Sequence, residues 1–561
     1  MSEETISKVY GIDLGTTYSA ISCINEDGKP EIIKNMEGFS TTPSVVLYEE
    51  SSDPDHPVNV TVGETAKEGG KTMPYNVVSF IKQEMGTGWT REIAGMNLTP
   101  VTVSAHILEK LVRDAKLSDH DVKNVIITCP AYFDAAQREA TKSAGEIAGL
   151  NVLQIIDEPV AAAMHYGLNK VNGNRKAIVY DLGGGTFDVS VVEITNEDNN
   201  VNVKVICSDG NHRLGGKNWD ERIVKLMARK FAEANGCSED ELMSDIDTLY
   251  DLQTKAERIK ISLTTRPKAI DKIVFGGSSQ RIEITREEFD NETKDLLETT
   301  VELTQKTLDF AKTKGVDVIN DFLLVGGSTF MPQVQEMVKE KFSSAVDGET
   351  KIFDPNEAVA KGAAMFAFVK AVQLFIQDEI DKNKREGISD AEAEQKANEA
   401  AADTFSLPTE EIKKIGNTEM TTVASRSYGI RALNKDNQHV VFNMIKKQDT
   451  VPAAREHDFP VSAANAEKIP LIIYANNSVD ISAPIEESAE IGQAEMFLPP
   501  NTPKGAIVRV KFTLTLDGVL EFSAIDIASG TTVNTSFDAK NGLSQEEIAA
   551  ARNEIADLVF S

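Results

Sequence analysis

Two stretches of the sequence share one unusual pattern: VYGIDLGTTYSAI (Val9–Ile21) and YDLGGGTFDVSVV (Tyr180–Val192). In each stretch an apolar run ends in Asp-Leu-Gly, and a threonine follows. Glycine turns directly after strands leave backbone N–H groups free to point at phosphate oxygens. Because the same turn recurs far along the chain, we interpret the two turns as the two halves of one phosphate clamp. Either turn taken alone is equally consistent with an ordinary hairpin or a strand-to-helix loop.

The composition is that of a globular protein with several domains. The chain has 561 residues, of which 41% are apolar and 26% are charged. This length exceeds one ordinary hydrophobic core, so about two to four domains are expected. The formal net charge of −30 argues against general affinity for nucleic acid or anionic membranes, because both require basic surfaces.

The cysteines and the N-terminal residues favour a reducing compartment. Cys23, Cys129, Cys207 and Cys237 are far apart and form no CxxC pair, which argues against a disulfide framework or a zinc site. The opening residues, MSEETISKVYG, lack the charged-then-apolar pattern of a signal peptide. No segment approaches the run of about 18 apolar residues that spans a membrane. The predicted localisation is therefore cytoplasmic.

From Val9 to about Val369, short β-rich runs alternate with helical stretches. The predicted buried strands are Val122–Pro130, Lys176–Gly185, Val201–Gly210 and Asn320–Ser328, and the clearest predicted helices are Ala135–Leu150 and Asp220–Gly236. Such alternation predicts an α/β architecture with ligand-binding turns at the ends of strands.

The pattern changes twice after this region. Residues 371–420 are rich in Glu, Lys and Ala, which predicts a solvated helical linker or insertion. Residues 421–540 alternate with period two and contain the hairpin signal Asp517-Gly518, which predicts an all-β sandwich. Residues 541–561 are predicted to form a single amphipathic helix. The domain division is thus 1–370, 371–420, 421–540 and 541–561.

The glycine patterns disfavour two common nucleotide-binding sites, the mononucleotide P-loop and the Rossmann dinucleotide site. Gly69-Gly70-Lys71-Thr72 ends like a P-loop, but the position of that motif's first glycine is Thr65. The turn GGGTFD lacks the third glycine of a dinucleotide fingerprint. A third glycine turn remains, FLLVGGS (Phe322–Ser328), against which a base or ribose could lie. Asp13 and Asp181, on the two Asp-Leu-Gly turns, could hold a hydrated Mg²⁺.

In their order, these turns resemble the ATPase domain of the heat-shock protein 70 (DnaK-like) chaperones, within the actin and sugar-kinase superfamily. The longer stretches that agree are Cys129–Leu150, Ile155–Gly167, Leu324–Pro332, Asp354–Met365 and, in the β region, VKFTLTLDGVLEFSAID (Val510–Asp526). The resemblance covers nearly the whole chain except about 371–420. It implies an α/β actin-like (ribonuclease H-like) two-lobed ATPase domain, an all-β peptide-binding sandwich and a short C-terminal helix that would be a truncated lid.

The resemblance also implies roles for residues at matching positions. The implied nucleotide-binding residues are Gly15, Thr16, Thr17, Tyr18, Gly183, Gly184, Gly185 and Thr186 for the phosphates, and Glu257, Lys260, Thr264, Gly326, Gly327 and Ser328 for adenosine. The implied catalytic residues are Lys82, Glu158, Asp188 and Thr186, with Asp13 and Asp181 holding Mg²⁺ through water, and with Pro130 in interdomain signalling. From the residues alone, Lys82 is equally an ordinary surface lysine, and Glu257 with Lys260 a solvated charge pair.

The implied activity is slow ATP hydrolysis that switches a chaperone between two conformations. In this family ATP loosens and ADP tightens the grip on an extended apolar peptide, which lies along the sandwich. By approximate alignment Val441, Leu471 and Ile473 would line the peptide pocket, although ordinary sandwich core explains each equally well. The implied partners are unfolded or extended polypeptides, a J-domain co-chaperone and a nucleotide exchange factor, with no nucleic acid and no membrane.

The chain departs from the family pattern in four places. The short leucine-rich interdomain linker is missing, and residues 371–422 stand in its place, which puts the usual coupling route in doubt. The helical lid is reduced to one helix, so bound peptide should exchange quickly. Lys217-Asn218 stands where acidic residues are usual, and Phe330 where arginine is common. These changes could alter nucleotide affinity or exchange-factor contacts.

Two alternatives to a chaperone ATPase remain at this point. One is a nucleotide-binding scaffold or co-chaperone of the same fold, with weak or no client cycle. The other is a small-molecule kinase of the same superfamily, although a C-terminal β-sandwich gives a kinase no obvious benefit. Unchanged turnover in Lys82→Ala would favour the scaffold, and phosphate transfer to a sugar or acetate would favour the kinase.

Overall fold

The first lobe carries the first Asp-Leu-Gly turn at the end of a central strand. The computed structural model describes residues 8–53, 56–171, 173–197, 200–348, 350–537, 545–556 and 558–560. Val9–Asp13 pairs in parallel with Asn124–Cys129 and antiparallel with Tyr18–Ile24. The sheet order is Asn151–Asp157, Asn124–Cys129, Val9–Asp13, Tyr18–Ile24 and Pro30–Ile33, with Thr42–Pro43 beside Tyr18–Ile24.

The second lobe repeats this arrangement around the second turn. Gly173–Leu182 pairs in parallel with Asp321–Val325 and antiparallel with Phe187–Glu197. The sheet order is Thr350–Ile352, Asp321–Val325, Gly173–Leu182, Phe187–Glu197, Asn200–Asn211, Met420–Val423 and Thr450–Val451. Asp13 and Asp181 therefore close equivalent hairpins of two related sheets, which explains why the sequence repeats Asp-Leu-Gly.

Helices and smaller sheets complete the two lobes. In the first lobe the helices are Glu64–Gly69, Pro100–Leu117, Ala135–Ile147 and Glu158–Lys170, with 3₁₀ turns Pro74–Asn76 and Ile81–Glu84 and strands Val45–Asp53, His56–Val62, Val77–Ser79, Arg91–Ile93 and Met96–Leu98. In the second lobe they are Gly216–Asn235, Glu239–Ser244, Ile246–Thr265, Arg286–Glu292, Lys294–Thr313 and Pro332–Phe342, with 3₁₀ turns Gly327–Phe330 and Ser343–Ala345 and the hairpin Lys268–Phe275/Ser278–Thr285.

The long helix Ala358–Arg385 packs on the first-lobe sheet and on the helix Glu158–Lys170, and it belongs to one apolar core with second-lobe strands. It is long and apolar enough to span a membrane, with a mean hydropathy of 1.6 over its most apolar 18 residues, yet 67% of that window is buried inside the protein. A Cβ on Gly362 would lie 1.7 Å from the carbonyl oxygen of Ala161, so only glycine permits this packing. The burial is typical of the core helix of a globular protein.

The helical insert, residues 386–419, continues from this helix. Its helices Asp390–Phe405 and Thr409–Gly416 fold back on the end of Ala358–Arg385. The fully buried side chains of Ala401 and Ile412 belong to the same apolar core as the central helix. The insert is therefore packed on the ATPase region, and the predicted boundary at 370/371 falls inside a continuous helix.

The sandwich forms from two antiparallel sheets. One has the strand order Ser482–Ala483, His439–Ile445, Ser427–Leu433, Lys468–Asn476 and Ala489–Phe497, with a 3₁₀ turn at Ile485–Glu487; the other has Ala453–Pro460, Ile507–Leu514, Leu520–Asp526 and Thr532–Phe537. The predicted hairpin is present, since Ile507–Leu514 and Leu520–Asp526 pair antiparallel and Gly518 has a φ of 83°. Large apolar residues such as Phe512 and Phe522 fill the space between the sheets.

The C-terminal helix Gln545–Ala556 contacts the first lobe. Ile548 packs with Ala105 and Ile147, and Arg552 donates to the carbonyl oxygen of Glu146. The last strand, Val559–Phe560, pairs in parallel with His56–Val62. These contacts place the helix predicted as a truncated lid against the ATPase lobe.

Candidate active site

A cleft of about 420 Å³ lies between the two lobes, where the carboxyl ends of the central strands meet. Seventeen of the residues predicted from the sequence line it: Asp13, Gly15, Thr16, Thr17, Tyr18, Lys82, Glu158, Asp181, Gly183, Gly184, Thr186, Glu257, Lys260, Thr264, Gly326, Gly327 and Ser328. Gly185 is packed against Thr16 of the lining, and Asp188 is buried close to Glu158 and Asp181. The structure thus brings the three glycine turns and the helix Ile246–Thr265 together in one site.

The two Asp-Leu-Gly turns touch each other across the cleft. A Cβ on Gly184 would lie 1.4 Å from Thr17 Oγ1, and a Cβ on Gly185 would lie 2.4 Å from Thr16 Cγ2. Gln83 closes the contact, because its Nε2 donates to the carbonyl oxygen of Gly185 at 2.6 Å. Any side chain at the two glycines would separate the lobes, so the glycines are required by the approach of the turns.

The floor of the cleft contains one lysine among several carboxylates. Lys82 Nζ lies 2.5 Å from Glu158 Oε1, and both side chains are buried. Burial raises the pKa of Asp13 to about 7, with Glu158 adding to the shift and Lys82 opposing it. Burial also raises the pKa of Asp181 and of Asp188 well above the ordinary value. The floor therefore holds more buried carboxyl groups than it has cations to pair with them.

Asp188 shows that excess most clearly. Both of its carboxylate oxygens are buried and have no hydrogen-bond partner among the residues that the structure describes. Buried carboxylates ordinarily pair or bind a cation. In the described part of the chain, no group of three or more His, Cys, Asp or Glu side chains is placed to coordinate a metal ion directly. The donor set therefore fits a cation that keeps its water shell, as Mg²⁺ does.

The other end of the cleft is held by ion pairs rather than by a solvated helix face. Lys67, from the first lobe, pairs with Glu257 of the second, and the hydroxyl of Tyr18 donates to Glu257 at 2.9 Å. These contacts hold the pKa of Glu257 below its usual range against the effect of burial. Lys260 pairs with Asp220 at 2.7 Å. Glu257 and Lys260 thus bind separate partners inside the cleft.

The contacts of Gly326, Ser328 and Tyr18 could not be predicted from the sequence. Gly326, with a φ of 83°, brings the third turn against the second: a Cβ there would lie 2.5 Å from Asp181 Oδ1. Ser328 Oγ donates to the carbonyl oxygen of Gly183 at 2.9 Å. The Tyr18 hydroxyl, expected near the phosphates, points to the Glu257 end.

Sequence reasoning missed several residues that line the cleft or support its lining. Lys67, Gln83 and Asp220 make contacts between elements that are distant in sequence, and no local motif marks them. Lys217 lines the cleft as well, and its only signal was a basic residue where the family usually has an acidic one.

The predicted peptide-pocket residues lie inside the sandwich. Leu471 and Ile473 are 4% and 0% exposed and belong to its main core. Val441 is fully buried in a separate small cluster with Tyr474 and Ala483. The three side chains therefore share no surface, and ordinary core packing accounts for each of them.

The sandwich and its connecting strand contact the ATPase lobes directly. Met420–Val423 adds to the edge of the second-lobe sheet beside Asn200–Asn211. Thr422 donates to Asp157, which also pairs with Arg138; Asp157 and Arg138 are both buried. Asp157 precedes Glu158, the partner of Lys82. A continuous chain of contacts therefore runs from the connecting strand to the floor of the cleft.

Further contacts attach the sandwich to both lobes. Arg426 pairs with Asp134 at 3.0 Å. Gln448 accepts from the backbone N–H of Ser208 at 3.1 Å and donates to its carbonyl oxygen. The structure is therefore a conformation in which the sandwich is docked on the ATPase region.

Comparison with known proteins identifies this arrangement. A sequence model described as Hsp70 protein matches residues 9–380. The chain belongs to the Hsp70 family. It is 34% identical over 551 residues to the chaperone protein DnaK of Thermotoga neapolitana and to that of Thermotoga maritima, covering 96% of this chain and 82% of each relative. The chaperone protein DnaK of Thermosipho africanus is 32% identical over 548 residues, covering 96% and 81%.

Membership of the Hsp70 family confirms the predicted fold and class of function. The protein is an Hsp70-type chaperone with an actin-like ATPase domain and a β-sandwich. Hsp70 proteins bind nucleotide, hydrolyse ATP and act on polypeptide clients together with co-chaperones. The similarity to DnaK extends over 96% of the chain and so includes the sandwich, which excludes the small-molecule kinase alternative.

Proposed function

We propose that the cleft hydrolyses ATP slowly and that the product state is transmitted to the sandwich. The observation that carries the proposal is the contact of the two glycine turns over a buried acidic floor with one lysine. Thr16 and Thr17 on one turn and Gly183 to Thr186 on the other offer hydroxyl and backbone donors to the phosphates. Glu257, Lys260 and Ser328 face the adenosine.

The cleft residues divide the chemistry between them. Asp13 and Asp181 would hold Mg²⁺ through its waters, and the ion would neutralise phosphate charge. Lys82 is held by Glu158 where it can orient water and stabilise charge that develops on the phosphate. The unpaired oxygens of Asp188 can accept hydrogen bonds from that water. Hydrolysis therefore depends mainly on positioning, and slow turnover is expected.

Coupling would pass through Glu158, Asp157 and Thr422 to the connecting strand, with Pro130 near this route. The functional division is nucleotide binding for the two lobes with the helix Ala358–Arg385, attachment of the sandwich for the helical insert 386–419, and binding of extended apolar polypeptide for the sandwich, 421–540. Residues 541–561, predicted to be a truncated lid, attach the C-terminal end of the chain to the first lobe through the helix Gln545–Ala556. The proposed partners are a J-domain co-chaperone and a nucleotide exchange factor. The proposed location of the protein is the cytoplasm. The four free cysteines agree with a reducing compartment.

Lys82→Ala tests the proposed chemistry. Single-turnover ATP hydrolysis should fall by about 100-fold or more, because an electrostatic contact to the transition state is lost, while ATP still binds. Lys71→Ala is the matched control: Lys71 is partly exposed on the P-loop-like segment, and among the described residues its ion-pair partner is Glu68. Equal turnover in Lys82→Ala and wild type would refute the catalytic assignment and favour a nucleotide-binding scaffold.

A further inference from the structure

Lys217 is a lysine of the second lobe that reaches across the cleft. It is the second residue of the helix Gly216–Asn235, and its backbone N–H donates to the carbonyl oxygen of Gly184 at 2.7 Å. Its half-buried side chain lines the cleft. The ammonium donates to Gln83 Oε1 at 2.8 Å and lies 4.9 Å from the centre of the Phe80 ring.

The charge of Lys217 is not neutralised by a carboxylate. The other lysines that line or border the cleft each have one: Lys82 pairs with Glu158, Lys260 with Asp220 and Lys67 with Glu257. Within the described residues, Lys217 has no carboxylate within ion-pair distance, and its partners are a neutral amide and an aromatic ring. It is therefore the cleft lysine whose positive charge is available to an anion.

We propose that Lys217 is a phosphate-binding residue and that it sets the preference of the cleft for a nucleoside triphosphate. This inference rests on the proposed nucleotide site. Lys217 belongs to the element that supports the second glycine turn, so it lies at the phosphate end. A hydrogen bond from an ammonium to a phosphate oxygen is stronger than one to a neutral amide.

Lys217 can exchange Gln83 for a phosphate without displacing Gln83. Its Nε2 donates to the Gly185 carbonyl oxygen at 2.6 Å independently of Lys217. Gln83 therefore stays in place when the ammonium turns from its Oε1 to a phosphate. Because the attraction is electrostatic, it grows with the number of phosphate charges and weakens with added salt.

A purely structural role for Lys217 makes a different prediction. If the lysine only ties the lobes together through Gln83 and Phe80, its loss would open the cleft for every ligand alike. Adenosine, ADP and ATP would then lose affinity by the same factor, and salt would not change that factor. The dependence on phosphate number therefore separates the two roles.

Lys217→Met tests the inference through dissociation constants measured by isothermal titration calorimetry. We expect ATP to bind about tenfold more weakly, which is the size of one hydrogen bond to a charged group. ADP should lose less, adenosine should stay within about twofold, and the ATP loss should shrink at high salt. Lys217→Arg should retain the triphosphate preference because it retains the charge.

Lys225→Met is the matched control, because it removes the same charge from an exposed position on the same helix. Circular dichroism and thermal unfolding of each variant establish that it is folded. An equal loss for all three ligands, or no loss for ATP, would overturn the role of Lys217 alone. Wild-type protein that binds none of the three ligands would overturn the nucleotide site itself, and the role of Lys217 with it.

Discussion

Ile412 in the helical insert should control whether the connecting strand stays on the ATPase sheet. Its side chain is 0% exposed and shares one apolar core with Val423 of the strand Met420–Val423. Gln373 on the central helix donates to the carbonyl oxygen of Thr418 at 2.9 Å. Asn202 accepts from the backbone N–H of Glu419 at 2.7 Å. The insert and the strand are therefore packed as one unit.

Ile412→Ala should weaken that unit by a large margin. Truncating a fully buried isoleucine to alanine costs about 2–5 kcal/mol, from lost burial and the cavity left behind. The strand pairs with Asn200–Asn211 at only two positions, Met420 with Val203 and Thr421 with Lys204. Each backbone hydrogen bond contributes about 1 kcal/mol, so the ladder cannot compensate for the lost packing. A loss of about 2 kcal/mol raises the open population roughly 30-fold.

Hydrogen–deuterium exchange read by mass spectrometry measures this opening. Peptides covering 409–426 and 200–206 should exchange faster in Ile412→Ala, while peptides inside the sandwich should not change. Ile270→Ala is the control, since Ile270 is 50% exposed on a second-lobe hairpin. If thermal stability falls but exchange at 420–423 is unchanged, the insert does not hold the strand and the reasoning is wrong.

Two further predictions concern single carboxylates. Burial raises the pKa of Glu109 from 4.5 to about 7. The neutral carboxyl of Glu109 therefore contributes stability below pH 4.5, and this contribution is lost as the pH rises through 7. Glu109→Gln should stabilise the protein by about 1–2 kcal/mol at pH 8 but not at pH 4.5. Denaturant titrations at pH 4.5 and pH 8, with the exposed Glu92→Gln as control, measure this difference, and an equal gain in stability at both pH values would contradict the prediction. Glu257→Gln should speed nucleotide release about tenfold, because it removes the interlobe ion pair with Lys67, whose side chains are only 18% and 16% exposed. Stopped-flow release of a fluorescent nucleotide measures the rate. An unchanged rate would show that this pair does not keep the lobes closed on the nucleotide.

The phosphate clamp was predictable because its chemistry is local. Gly184 and Gly185 are required by contacts of the backbone with Thr16 and Thr17, and such glycines follow strands in a recognisable order. Lys67 could not be predicted, since its pairing exists only when two lobes close. Local pattern thus identifies each half of the site, and tertiary structure alone brings the halves into register.

The helical insert was misjudged as a solvated linker because its core is built from small residues. Ala393, Ala397 and Ala401 recur every four residues and are fully buried, so they pack closely while adding little hydropathy. The connecting strand was hidden for a related reason. Backbone pairing with Asn200–Asn211 places Met420–Val423 on the sheet, so the strand needs no apolar run to hold it there.

Period-two alternation predicted the sandwich but not the function of its side chains. Val441, Leu471 and Ile473 follow the pattern of inward-facing residues, and a pocket-lining residue has the same pattern as a core residue. The structure separates Val441 from the other two because it lies in another apolar cluster. Sequence alternation identifies burial, and it does not identify what the buried residue faces.

The sandwich is attached at both of its ends to the ATPase region. Met420–Val423 joins it on one side to the second lobe, and Gln545–Ala556 contacts the first lobe on the other. Two attachments on one chain behave as a bivalent ligand: while one holds, the other is kept at a high effective concentration and rebinds quickly. Release of the sandwich therefore requires both to open together with the direct contacts Arg426–Asp134 and Gln448–Ser208, and a factor that opens only one attachment would leave the protein docked.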